Sequence, residues 1–362
     1  MSVPPTDAPD VDWSMGSQAA RLVDWDAAHQ VGRRVGGPGV PVPAVERARM
    51  REDLAELVPH AEDLIKEFTG MTVEGFRSRA WAMSRSEWTR ANLAGLQRLI
   101  EPLAGRILES RPDRADYRRK ALGAQIGLLL GYVSKKVLGQ YDVFLPPDDE
   151  GLLYFVGPNI IEAEQRFHLR PRDFRLWIAI HEVTHRVQFG AAPWLRGHLA
   201  GMVDAYLDSI SLDSHELMDQ LRRAAEQVRS GADWRGQGAV QLLLNDAQRE
   251  LFTHMQGLMS LLEGHASFVM NDVARANVPD VDRMRQALHA RRRTGGLEKT
   301  FQRAIGFDQK IAQYDAGEAF VRAVWERAGM DGLNLVWRSA EDLPSLDDIR
   351  QPERWLARVA GL

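Results

Sequence analysis

The run His181-Glu182-Val183-Thr184-His185 constrains this chain more than any other feature of its sequence. Residues four positions apart lie one above the other on a helix, so the two imidazoles can bind one metal ion only if this segment is helical. The neighbouring residues predict a helix independently, because Pro171 and Asp173 suit its first turn and apolar residues recur at helical spacing. The sequence therefore predicts a helix over about 171–188, with Gly190 placed to end it.

This pattern of side chains matches the chemistry of a zinc site. Zinc favours nitrogen ligands in a tetrahedral arrangement, and catalytic sites leave one position open for water. Glu182 follows the first histidine and is placed to take a proton from a water molecule that the metal activates. We therefore expect His181 and His185 to bind Zn²⁺ and Glu182 to act as the general base. The alternative is a buried helix whose two histidines are satisfied by hydrogen bonds.

A catalytic zinc needs a third protein ligand, and the sequence narrows the choice. A metzincin would have a glycine at 188 and a histidine at 191, where this chain has Gln188 and Ala191. A di-iron site would need a second Glu-x-x-His unit, which the chain lacks. Glu263 is the best candidate, because a carboxylate on so apolar a helix face needs a partner or a metal. Gly264 and Ala266 are small enough to let another helix, such as the one with the histidines, approach closely.

His265 is the rival of Glu263 for the metal. On a regular helix it points nearly opposite Glu263, so the two side chains cannot both bind the same ion. It shares its face with Glu250, His254 and Asp272, which fits either a second polar site or a mixed, solvent-facing surface. We expect the solvent-facing surface.

Composition excludes several classes of protein. The 362 residues are 44% hydrophobic and include ten tryptophans, which is enough for a substantial core. The net charge of -4 gives no reason to expect a nucleic-acid partner, and the basic stretch 283–293 has no interleaved aromatic residues. The chain has no cysteine, no signal-like apolar segment in its first thirty residues and no membrane-length apolar run. These features predict a cytoplasmic protein without a membrane partner.

The pattern along the chain predicts a mainly α fold with a small β-sheet or hairpin. We expect a flexible tail over 1–17, a helical region over 18–138 and a catalytic region over 139–362. The helical patterns of the second region cover about 44–68, 73–82, 85–109 and 114–138. Short β-like runs at 142–145 and 152–156 flank a turn-rich connection, which predicts a hairpin.

Three segments of the chain resemble the zincin-like metallopeptidase type 2 family of actinobacteria and related bacteria. They are HEVTHRVQFGAAPWLRGHL at 181–199, LLEGHASFVMND at 261–272 and the long C-terminal stretch 313–359. Members are often described as zinc-dependent metalloproteases or as proteins associated with coenzyme F420 biosynthesis. The resemblance implies a mostly helical zincin-like fold of the gluzincin type. It carries the motif roles onto His181, Glu182 and His185, and less directly the role of third ligand onto Glu263.

The sequence thus predicts a zinc-dependent hydrolase of peptide or small amide bonds. Residues 152–156 could form an edge strand that pairs with an extended peptide substrate. The developing oxyanion needs a hydrogen-bond donor, for which His265 and Tyr314 are the candidates. The alternative role for these two residues is to lie behind a metal ligand and support it. The alternative is a zincin-fold binding or regulatory protein without turnover. Arg186 is compatible with that alternative, because it stands where metalloproteases of this type usually carry an uncharged residue.

Overall fold

The fold is described from a computed structural model, which covers residues 17–75, 77–110, 116–143, 151–209, 245–292 and 307–362. It is mostly helical with one small sheet, as the sequence predicts. The helices before the HExxH motif are α1 (Gln18–Leu22), α2 (Trp25–Gly36), α3 (Ala44–Thr69), α4 (Arg85–Ser110), α5 (Asp116–Ser134) and α6 (Gly157–Phe167). The motif helix and its successors are α7 (Pro171–Ala191), α8 (Trp194–Asp208), α9 (Asp246–Asn277), α10 (Val281–Arg292), α11 (Phe307–Asn334), α12 (Leu346–Arg350) and α13 (Pro352–Trp355).

The sheet has three strands in the order β1-β3-β2. Strand β3 (Leu152–Val156) is central, parallel to β1 (Arg79–Met83) and antiparallel to β2 (Gly139–Tyr141). The prediction that residues 152–156 form an edge strand is therefore wrong. An uninterrupted apolar run suits a strand that is covered on both faces, and residues 153–156 are all buried.

Two other predictions for this region need correction. The strand that precedes β3 covers residues 139–141 instead of 142–145; Asp142 and Val143 lie beyond it, and 144–145 fall outside the described residues. Residues 79–83 form β1, although the sequence pattern predicts a helix over 73–82. The predicted antiparallel pairing itself is present between β2 and β3.

The chain divides into two compact units, one of residues 1–63 and 75–183, the other of residues 64–74 and 184–362. In the first unit, α5 packs closely on α2 through three glycines spaced four residues apart. A side chain at any of these glycines (Gly123, Gly127 and Gly131) would collide with the main-chain oxygen of Asp24, Ala28 or Gly32, respectively, in α2 or its N-cap. No helix in the described ranges is long and apolar enough to cross a membrane.

The beginning of α7 is held within the first unit by a buried arginine. Arg175 has no exposed side-chain surface, and its guanidinium binds Glu46 at 2.7 Å, Asp53 at 2.7 Å and Glu164 at 2.8 Å. These carboxylates come from α3 and α6. A buried charge is tolerated only when it is paired and hydrogen-bonded, so this network fixes the start of the motif helix.

In the second unit, α9 and α11 meet at two glycines. A side chain at Gly264 would collide with the main chain of Gly317, and one at Gly317 would collide with the carbonyl group of Ser260. The helix that approaches Gly264 is therefore α11 and not the motif helix, although α9 does lie against the motif helix at Leu262 and His265. The C-terminal end of α7 also differs from expectation, because the helix continues through Gly190, whose missing side chain makes room for Val73.

Candidate metal centre

Helix α7 carries both histidines of the motif on one face. Phe174, Trp177 and Val183 are between 0 and 2% exposed and anchor the helix through its apolar stripe. His181 and His185 lie one turn apart on this continuous helix and are partly exposed. The local pattern of the sequence therefore gives the histidine arrangement that a shared metal ion requires.

The structure brings Glu263 of α9 together with these two histidines. One ligand atom from each of His181, His185 and Glu263 lies within 4.8 Å of the others. The His185 Nε2 atom is 3.7 Å from Glu263 Oε2. Among the residues that the structure describes, this is the one cluster of histidine and acidic side chains with metal-site geometry.

The donor set fits zinc. Two imidazole nitrogens and one carboxylate oxygen are a common set in catalytic zinc sites, with bonds of about 2 Å. Two ligands at that distance from a tetrahedral ion are about 3.3 Å apart, so the 3.7 Å between His185 and Glu263 needs only a small side-chain adjustment. Both side chains retain some exposure to solvent, 14% for His185 and 21% for Glu263.

Glu182 lies against the edge strand β2. It is 7% exposed, and a Cβ atom built on Gly139 would lie 2.5 Å from Glu182 Cγ and 2.8 Å from its Oε1. Only glycine at 139 leaves this space to the carboxylate. This role of Gly139 cannot be read from the sequence, because the contact depends on where β2 lies.

His265 is fully buried, so the expectation of a solvent-facing surface is wrong. Its ring packs edge-on against Trp337 at 5.1 Å, and its Nδ1 atom is 3.0 Å from Gln188 Nε2. Burial, assisted by the nearby His185, lowers the pKa of His265 to about 3. Of the two roles expected for His265, a place behind the ligand His185 fits this position and contact with an oxyanion does not.

Gln188 also contacts the residues around His185. In the sequence, this position served only to exclude a metzincin. It is fully buried and hydrogen-bonds His185, His265 and the main chain of Leu262. Its position three residues after His185 places it on the same helix face, which is the only sequence signal that could have indicated it.

Tyr314 falls in α11, but its side chain lies outside the described residues. Arg186 is buried, with 4% of its surface exposed. His198 packs edge-on against Trp194 at 5.8 Å and is not part of the metal cluster.

A mostly helical fold with this donor set and an adjacent glutamate defines a zincin-like protein. The chain belongs to the zincin-like metallopeptidase family, whose model matches residues 23–356, as the resemblance in its sequence predicts. It is also similar to a solved structure from Chloroflexus aurantiacus, a protein proposed to be a hydrolase and described as having a novel fold. The two share 33% identity and a TM-score of 0.70 over 94% of this chain and 99% of the other. No match is found among curated proteins.

Proposed function

We propose that the protein is a zinc-dependent hydrolase of peptide or small amide bonds. The observation that carries the proposal is the cluster of His181, His185 and Glu263, two members of which share a helix with Glu182. The family and the Chloroflexus aurantiacus protein support a hydrolase in general terms. The choice of peptide or amide bonds rests on the chemistry of the site.

The residues of the site would have separate roles in hydrolysis. Zinc bound by His181, His185 and Glu263 would supply a Lewis acid for the scissile carbonyl and lower the pKa of water toward about 7. Glu182 would take a proton from the attacking water and pass it to the leaving amine. Gly139 leaves room for this carboxylate, so its position against β2 supports the role of base.

Strand β2 supplies a binding edge for an extended substrate. It lies at one side of the sheet, and its residue Gly139 is next to Glu182. A peptide that pairs with a sheet edge gains main-chain hydrogen bonds without requiring a particular sequence. A peptide bound along β2 would therefore run past the proposed base. This assigns to β2 the role that the sequence analysis gave to residues 152–156.

Metal analysis combined with cleavage of a peptide library tests the proposal. The protein purified without added metal or chelator should contain about one zinc per chain. Glu182→Gln should keep zinc but lose about 10²–10⁴-fold in hydrolysis, because an amide cannot accept the proton. Glu326→Gln, at an exposed position, serves as the matched control.

Three outcomes would contradict the proposal or a part of it. Less than about half an equivalent of zinc, not restored by added zinc, would exclude a metalloenzyme. Full zinc content with no cleavage of any peptide or amide would favour the binding or regulatory alternative. If Glu182→Gln cleaved a substrate at the wild-type rate, Glu182 would not be the base.

A further inference from the structure

We propose that Gln188 is a positioning residue of the metal centre, which orients the His185 imidazole and aligns it with Glu263. The inference rests on the proposed function, because it assumes that the cluster binds zinc. Gln188 does not belong to the donor set and has no exposed surface, so it would act only through the residues it contacts.

The contact between Gln188 and His185 determines which nitrogen of the histidine carries a hydrogen. Gln188 Oε1 lies 3.0 Å from His185 Nδ1. An amide oxygen can only accept a hydrogen bond, so Nδ1 must be the donor. A neutral imidazole protonated at Nδ1 keeps its lone pair on Nε2, the atom 3.7 Å from Glu263 Oε2. The contact thus selects the tautomer that can bind a metal on the side of Glu263.

The Leu262 carbonyl determines which end of the Gln188 amide is nitrogen. Gln188 Nε2 lies 2.9 Å from the main-chain oxygen of Leu262, which accepts hydrogen bonds only. The nitrogen must therefore face Leu262, and the oxygen must face His185. The second N–H points to His265 Nδ1 at 3.0 Å, which accepts it.

These bonds also set the position of α9. Leu262 and His265 flank Glu263 in the sequence, and both are bound by the same amide. One buried side chain on α7 therefore orients one candidate ligand directly and locates the helix segment that supplies another. Outer partners of this kind commonly contribute 10–100-fold to metal affinity, by fixing the tautomer and orientation of the ligand.

Substitution of Gln188 by methionine tests the inference, because it keeps the length of the side chain and removes the amide. Competition with a chromophoric chelator should give a zinc affinity about 10–100-fold below wild type. Gln97→Met is the matched control, since Gln97 is also buried and bonds only Ser17 Oγ among the contacts described. It should bind zinc like the wild type.

A second readout measures the tautomer without metal or turnover. Long-range ¹H–¹⁵N correlation spectra of the zinc-free, histidine-labelled protein should show His185 protonated at Nδ1, with the signal assigned by its absence in His185→Asn. In Gln188→Met the signal should move toward a mixture of tautomers, a change that general destabilisation would not produce.

The two measurements separate failure of this inference from failure of the proposed function. A wild-type protein that binds no zinc but shows His185 protonated at Nδ1 would refute the zinc hydrolase and leave the orienting contact in place. His185 protonated at Nε2 in the wild type would overturn the inference. Wild-type zinc affinity in Gln188→Met would overturn it as well.

Discussion

Glu263 and His265 are two positions apart in α9 and have opposite surroundings. Glu263 is 21% exposed and faces His185, whereas His265 is fully buried against Trp337. Glu263→Ala should therefore weaken zinc binding by more than the roughly 10–100-fold typical of an outer partner, because it removes a ligand. His265→Ala should weaken zinc binding much less, by at most the 10–100-fold of an outer partner, because His265 contacts Gln188 and not the metal. Chelator competition measures both variants.

The exposed residue Glu326 provides a control for the loss of a carboxylate. Glu326→Ala should bind zinc like the wild type. A protein that keeps zinc after Glu263→Ala and loses it after His265→Ala would reassign the ligand. If neither substitution had an effect, the third ligand would have to be sought on another helix.

The residues of the candidate centre differ in how far the sequence alone reveals them. His181, Glu182 and His185 are readable, because their arrangement depends only on the geometry of one helix. Glu263 could be selected by its apolar surroundings, although its distance from His185 could not. The burial of His265 was missed, because a helical pattern identifies shared faces but not which of them another segment covers.

Among the secondary-structure elements, strand β1 shows why the local sequence pattern failed to predict part of the sheet. Arg79–Met83 contains alanine, arginine and methionine, which are good helix formers. The strand is stabilised by parallel pairing with β3, far along the chain. A short stretch of sequence gives little indication of such non-local pairing, because the preference of a residue for a strand depends on its cross-strand neighbours and its burial. Strand β3 was predictable because its own composition is strongly β-like.

Strand β2 should affect catalysis through its glycine. The Cβ atom of Gly139→Ala would collide with the Glu182 side chain and push the carboxylate away from its place. We expect the turnover of a cleaved peptide to fall at least tenfold, because misplacing a general base forfeits part of its 10²–10⁴-fold contribution. Zinc content should not change, since neither residue belongs to the ligand cluster.

The control for this variant is Gly105→Ala in α4, whose added methyl group would make only an ordinary contact 3.9 Å from Gln18. Its turnover should equal that of the wild type. A Gly139→Ala enzyme with unchanged turnover would show that the Glu182 carboxylate does not need this position.

One added methyl group where α9 crosses α11 should lower the stability of the protein. Gly264→Ala would collide with the main chain of Gly317, so the helices would have to separate. Overpacking of this kind typically costs about 1–3 kcal/mol of unfolding free energy. Gly201→Ala in α8 has open space and should instead stabilise by up to about 1 kcal/mol, because alanine favours helix. Denaturant unfolding of both variants measures the difference, and equal stabilities would contradict the close crossing.

For the molecule as a whole, the family match is broader than the motif that first indicates it. It covers residues 23–356 and therefore includes most of both compact units, not only the segment around the HExxH helix. The class of the protein accordingly rests on the whole chain. The detailed chemistry rests on a few side chains, which is why zinc binding and turnover need separate tests.

Zinc binding should raise the thermal stability of the chain, and this can be measured without a substrate. A ligand that binds only the folded state stabilises it by about 2.7 kcal/mol at a free concentration one hundred times its Kd. For a chain of 362 residues that corresponds to a rise in Tm of about 3–4 °C. Calorimetry of chelator-treated protein with and without added zinc measures the change. Glu182→Gln should show the full rise, because it keeps the ligands, whereas Glu263→Ala should show little of it. An equal rise in Glu263→Ala would mean that the stabilising ion is bound elsewhere.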